Sequence, residues 1–135
     1  FSIGVNIFFK VNKYLTKLMH KHGPNYKASI NEIHHTKKLD SPSGTAISLA
    51  EDIIESSVYE KWELGGQNKK FLKIESIRDG DNPGTHSVNY VSKLDEISIK
   101  HKAFKRDGFA LGAIIAAEWL VNKKGIFGMN DVIKI

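Results

Sequence analysis

The sequence predicts an α+β domain: a mixed or antiparallel sheet of about four strands, covered on one face by helices. Three observations lead there. Apolar residues recur at helical spacing over residues 5–21 and again after Thr45. Three short strand candidates follow one another at 71–78, 86–92 and 95–102. A further apolar helical run occupies roughly 107–123. At 135 residues and 41% hydrophobic, the chain has the apolar content for one core, and 1–135 is expected to form one domain.

The first helix rests on Phe8, Val11, Leu15, Leu18 and Met19, and Gly23-Pro24 stops it. Tyr26 to His34 reads as a strand with β-branched Ile30 and Ile33 but no clean alternation. A polar loop, 36–43, carries Pro42. From Thr45 the positions Ala46, Leu49, Ala50, Ile53 and Ile54 form a helical stripe ending near Ser56. Residues 59–70, with Gly65-Gly66, read as a long exposed connection. Asp79-Gly80-Asp81-Asn82-Pro83-Gly84 is a turn between strand candidates, and Ser92-Lys93-Leu94-Asp95 suggests a tight hairpin. Leu72/Ile74, Val88/Tyr90 and Ile97/Ile99 give the sheet one apolar face. The run 107–123 is apolar nearly all round, the pattern of a helix enclosed by protein.

Composition excludes several classes. No run of about 18 apolar residues exists to span a membrane. The start, Phe1-Ser2-Ile3-Gly4-Val5, has neither the basic region nor the cleavage site of a signal peptide, and without methionine it fits a piece of a longer protein. The absence of cysteine fits a cytoplasmic location. Net charge is +5, but the lysines are scattered and form no stripe with interleaved aromatics, which argues against nucleic acid.

Chemistry concentrates between Glu32 and Ala46. His34 and His35 end a strand, where an imidazole titrating near neutrality suits proton transfer. If the strand persists the two rings point to opposite sides, which with a missing third ligand argues against a shared metal, whereas a bend at the strand end would let both face the loop. Lys38 offers a proton or a point charge for a carboxylate. Ser43-Gly44-Thr45 stands where helix caps occur, and its amides with the Thr45 hydroxyl can cradle an anion. Singly, each element has an ordinary structural explanation. Together they describe a cationic pocket for a small carboxylate with proton donors beside it.

The string Glu32-x-His34-His35-x-x-Lys38-x-Asp40-x-Pro42-Ser43-Gly44-Thr45-Ala46 resembles the substrate-binding signature of the dihydrodipicolinate reductases, formally 4-hydroxy-tetrahydrodipicolinate reductases. Phe1-Ser2-Ile3-Gly4-Val5-Asn6 is similar to the start of that family's C-terminal domain. Arg78-x-Gly80-x-x-x-Gly84-x-His86 resembles its hairpin signature, and His101-Lys102-Ala103, Arg106 and Phe109-Ala110-x-Gly112-Ala113 the entry to its last helix.

The resemblance implies the C-terminal substrate-binding and tetramerisation domain of a two-domain reductase, without its Rossmann domain. His34 would be the general acid/base and Lys38 a proton donor. His35 would bind substrate, and Ser43, Gly44 and Thr45 would hold a substrate carboxylate. Phe1 would be the remnant of a stretch that contacts NADPH or NADH. The substrate would be a small ring dicarboxylate, reduced on the route to diaminopimelate and lysine, and the partner a homotetramer built through the mixed sheet face. No G-x-G-x-x-G is present, so these residues alone are expected not to turn over substrate. Residues 107–135 would pack on the nucleotide-binding domain or, without it, on a neighbouring chain. A different class of function is a non-catalytic oligomerisation or dicarboxylate-binding module.

Overall fold

In a computed structural model describing residues 1–134, the chain runs α1 (Ile3–His22), β1 (Lys27–His34), α2 (Gly44–Glu55), β2 (Lys61–Leu64), β3 (Phe71–Arg78), β4 (Thr85–Val91), β5 (Glu96–Lys102), α3 (Asp107–Leu120) and α4 (Met129–Ile133). The five strands form one mixed sheet in the order β2-β3-β1-β4-β5. The expected α+β architecture is present, with one strand more than the sequence suggested. β1 lies at the centre, parallel to β3 and antiparallel to β4. β2 runs parallel to β3, and β4–β5 is the anticipated hairpin.

The additional strand, β2, falls inside the supposed connection 59–70. Four residues reach only about 13 Å, so residues 65–70 suffice to bring the chain back for a parallel β3. Gly65 turns there at φ +64°, and the Glu63 carboxylate accepts the amide of Asn68 at 2.9 Å.

The turn 79–84 joins no hairpin, contrary to the expectation. β3 and β4 flank β1 on opposite sides, so this segment crosses the end of β1. Its backbone closes that end: Asp79 N–H donates to the His34 carbonyl at 2.8 Å, and His35 and Thr36 donate to Asn82 and Gly80 at 2.8 and 3.1 Å.

The core lies between the sheet and the pair α1/α2. Ile30, Leu49, Ile53, Leu72, Ile74 and Val88 are fully buried, each stabilising by about 1.5–3 kcal/mol. Helix α2 buries Ala46, Leu49, Ala50 and Ile53, the stripe its spacing predicts. Helix α1 is rotated from expectation. Its buried positions are Phe8, Asn12, Thr16 and Met19, while Val11 and Leu18 are exposed. The polar pair is held largely by hydrogen bonding: Asn12 Nδ2 donates to the Leu49 carbonyl at 3.2 Å, its Oδ1 being left without a partner among the described residues, and the Thr16 hydroxyl donates to the Asn12 carbonyl at 2.8 Å. Thr16 also meets the Tyr90 hydroxyl at 3.0 Å.

Helix α3 is not enclosed. Among its described residues only Gly112 is buried, and Leu111, Ile114 and Leu120 are about half exposed. Gly112 is where α3 meets the N-terminus: a Cβ there would lie 1.9 Å from the Phe1 carbonyl oxygen. Beyond it, Trp119 packs edge-on against Phe127 at 5.2 Å, and a cavity of about 560 Å³ opens among Phe1, Ala116, Trp119, Phe127 and Val132.

Candidate active site

β1 builds the site because its inward positions are Ala28, Ile30, Glu32 and His34. The alternation of burial is regular, but two of the four inward residues are ionisable. Glu32 is fully buried. Its Oε2 is hydrogen bonded to Nδ1 of His34. Its Oε1 accepts from Arg78 Nη1 at 3.0 Å and from the Ser43 amide at 3.3 Å. Burial pushes the Glu32 carboxyl up. The Ser76 hydroxyl on the same row of the sheet (making no aligned hydrogen bond of its own), His34 and Arg78 outweigh that and hold it below the usual range. Glu32 is therefore a carboxylate.

His34 shows the opposite balance. Burial lowers its pKa, Glu32 opposes this, and the positive charges of Lys38 and Arg78 add to the lowering, so the ring is neutral at neutral pH. His34 Nε2 makes no hydrogen bond among the described residues and is not a sealed orphan atom, so it keeps access to solvent. The ring lies against Gly84, whose φ is +152° and where a Cβ would come within 3.1 Å of Nε2. The backbone conformation favours glycine there, and a side chain would in addition press on the His34 ring.

His86 stands opposite Glu32 across β1/β4 and opposite His101 across β4/β5. Its ring meets His34 edge-on at 4.9 Å. Burial first, then the neighbouring His34, lowers it to about 4.

Ser43 joins this cluster to α2. As N-cap it accepts the Ala46 amide at 3.2 Å, and its hydroxyl also pairs with His86 Nε2 at 2.9 Å. The side chain is buried and committed to these two partners. The next amides, of Gly44 and Thr45, are N1 and N2 of the helix, beyond the reach of any intrahelical acceptor. Gly44 is exposed and Thr45 half-buried. A Cβ on Gly44 would meet nothing within 4 Å, so the glycine leaves an open approach to the helix tip. Gly44 and Thr45 share a cavity of about 430 Å³ with Phe1, Asn6, Ser48 and Phe109.

The segment 35–42 wraps this end of the sheet. Lys38 Nζ pairs with Asp40 Oδ1 at 2.8 Å, and the Asp40 carbonyl accepts from Arg78 Nη2 at 2.7 Å, ahead of a cis Ser41–Pro42 bond. His35 diverges from His34, as strand geometry requires, and lines a separate cavity of about 550 Å³ with Lys37, Asp81, Pro83 and Arg106. The singled-out residues thus fall into three groups. His34 and Ser43 share a buried network with Lys38's charge beside it, Phe1, Gly44 and Thr45 share one cavity, and His35 faces another.

Sequence reasoning gave no role to Glu32, Arg78 or His86. Glu32 and His34 lie two apart on a strand, which was a usable signal. The other two arrive through pairing between distant segments.

Glu32, His34 and His86 bring ligand-type atoms within 4.8 Å of one another. Both Glu32 oxygens are already engaged, and Arg78 and Lys38 add positive charge, so the donor set suits proton handling better than cation binding. Nor do the described residues fit a dinucleotide. The β1–α2 link leads into the tip of α2 with the single glycine Gly44, not the glycine-rich turn that cradles a pyrophosphate. No helix here is long and apolar enough to cross a membrane, among the described residues.

An α+β domain whose central strand carries a neutral imidazole beside an open helix tip is the framework of a small-anion site with a proton-handling group. The chain belongs to the family described as dihydrodipicolinate reductase, C-terminus, which matches residues 4–133. It is 48% identical over 134 residues to a 4-hydroxy-tetrahydrodipicolinate reductase of Christiangramia forsetii, covering 98% of this chain and 56% of the relative. A Buchnera aphidicola protein of the same name is 38% identical over 144 residues, covering 99% and 52%. Among solved structures, a dipicolinate-bound dihydrodipicolinate reductase from Paenisporosarcina sp. TG-14 matches with TM-score 0.67 and 21% identity, over 96% of this chain and 51% of that one, and supports the fold. The chain spans about half the length of the curated relatives it matches.

Proposed function

We propose that this chain is the substrate-binding and oligomerisation part of a cytoplasmic 4-hydroxy-tetrahydrodipicolinate reductase, serving lysine and diaminopimelate synthesis. The observation that carries the reading is the hydrogen-bonded path from His34 through Glu32 to Ser43 at the α2 tip. It keeps a proton-handling imidazole and two unpaired helix amides in fixed relation.

In this reading the amides of Gly44 and Thr45, with the Thr45 hydroxyl, bind one carboxylate of a small ring dicarboxylate, as helix N-termini bind anions. Ser43 fixes the tip instead of touching the ligand. Lys38 supplies positive charge for the remainder of the ligand, His35 is assigned a ligand contact from its own neighbouring cavity, and His34 and Lys38 are the groups that exchange a proton with the ligand. His34 is neutral when free and can accept a proton at Nε2. NADPH or NADH, which the relationship implies as hydride source, finds no cradle in the described residues, and Phe1 alone does not make one. These 135 residues alone are therefore inactive in reduction while still binding dicarboxylate.

Association is proposed through two surfaces. The open sheet face carries Asn31, Ile33, Lys73, Glu75, Ile77 and Ser87, a mixed surface suited to a homotetramer. The exposed apolar side of α3 and α4 suits a nucleotide-binding domain or a second chain.

Calorimetric titration with dipicolinate tests the binding. Saturable binding to the wild type that weakens in Thr45→Ala is expected, and no detectable binding at millimolar ligand would refute the reading.

A further inference from the structure

Two inward residues of β1 stand two positions apart, an arrangement that places both side chains on one face of the strand. Glu32, completely enclosed, is held at Oε1 by Arg78 and the Ser43 amide, which leaves Oε2 for His34. We propose that Glu32 is the positioning residue of this site: its carboxylate fixes His34 as the Nδ1–H tautomer and thereby presents the Nε2 lone pair as the proton acceptor.

The argument is one of donor and acceptor accounting. An ionised carboxylate only accepts hydrogen bonds, so the nitrogen facing Oε2 must carry the proton. In a neutral ring the other nitrogen is then bare. Neither partner can readily turn away. Arg78 is itself anchored to the Asp40 carbonyl at 2.7 Å, and the His34 ring is confined between His86 and Gly84. Oriented histidines elsewhere use a carboxylate in the same manner to set tautomer and basicity.

The charged and titratable groups facing His34 come from every element around it: Glu32 on β1, Lys38 in the following loop, Arg78 at the end of β3 and His86 on β4. Glu32 is the only anion among those four, and it alone favours the protonated ring. It therefore also stabilises His34 after a proton has been taken.

This inference rests on the proposed dicarboxylate reading for its purpose, but not for its test. Imidazole nitrogen NMR on the 135-residue chain, ¹⁵N-labelled at histidine, reads the tautomer directly. The wild type is expected to show Nδ1 protonated and Nε2 bare above its titration midpoint. Glu32→Gln keeps length and shape but removes the charge, and is expected to lose that single-tautomer signature and to titrate at lower pH. Glu32→Asp keeps the charge but cannot span the gap, and is expected to lose the signature as well. Dipicolinate binding by the wild type is followed separately at the Gly44 and Thr45 amides, which open α2. A wild-type ring protonated at Nε2 overturns the proposal, and needs no variant to fold. Retention of tautomer and midpoint in Glu32→Gln overturns it too. Absence of any amide response to dipicolinate in the wild type would instead refute the dicarboxylate reading, leaving the tautomer result standing.

Discussion

Ser43 and His86, forty-three positions apart, share a 2.9 Å hydrogen bond between hydroxyl and Nε2. The bond ties the first turn of α2 to a strand beside the centre of the sheet. Because Ser43 also caps the helix, the first amides of α2, at Gly44 and Thr45, inherit their position from a buried imidazole.

That imidazole makes stability depend on pH. Burial and the neighbouring His34 hold the His86 ring at about 4 against 6.5 in an exposed histidine. Protons therefore bind the unfolded chain more tightly. The contribution is complete above pH 6.5 and is lost as pH falls towards 4, on the order of 3 kcal/mol. Urea midpoints measured between pH 7 and 4 should fall, and His86→Gln should flatten that slope. A variant with the wild-type slope would place the effect elsewhere.

Ser43→Ala removes both the cap and the partner of His86. A cost of about 1–3 kcal/mol is expected, read as a lower melting temperature at pH 7.

Gly44→Ala separates ligand space from folding. A methyl group there meets nothing within 4 Å of the chain itself, so thermal stability should be unchanged or slightly higher. Dipicolinate affinity should nonetheless drop by about tenfold or more, since the methyl intrudes on the approach to the helix tip. Thr45→Val, tested in the same titration, should cost about 1–3 kcal/mol of binding through the lost hydroxyl.

Gly112→Ala addresses the seating of α3. The new methyl would fall 1.9 Å from the Phe1 carbonyl oxygen, forcing backbone apart. Hydrogen exchange should accelerate along α3 while protection in β1, β3 and β4 stays as in wild type. Uniform loss of protection across the sheet would contradict a local role.

Leu111 and Ile114 are 57% and 56% exposed on α3. If this side of the helix drives association, Leu111→Ser/Ile114→Ser should lower the light-scattering mass at high concentration. Monomer stability should change by less than about 0.5 kcal/mol. An unchanged mass would assign association to another surface.

Much of this domain was legible in the chain. Helix α2 declared itself because all its inward residues are aliphatic, and Gly23 stopped α1 where its amide now meets the Met19 carbonyl. β1 read poorly for a functional reason. Its inward row includes Glu32 and His34, so the residues that serve the site erase the apolar alternation that marks a strand. The stripe on α1 was misplaced for a related cause, since Asn12 and Thr16 are buried through hydrogen bonds that periodicity does not register. β2 escaped notice because four residues beside Gly65-Gly66 carry little pattern. The site showed the same division. His34, Lys38 and the Ser43–Thr45 cap were visible as neighbours in sequence. Arg78 and His86 were visible only as fixed positions of a separate signature, without a role, because strand order brings them in from either side of β1.

Placing β1 third of five strands also determines how the site ages under stress. Fraying starts at unpaired margins, which here are β2 and β5. The strand holding Glu32 and His34 surrenders its neighbours last, so molecules with worn edges still keep their proton-handling pair in register.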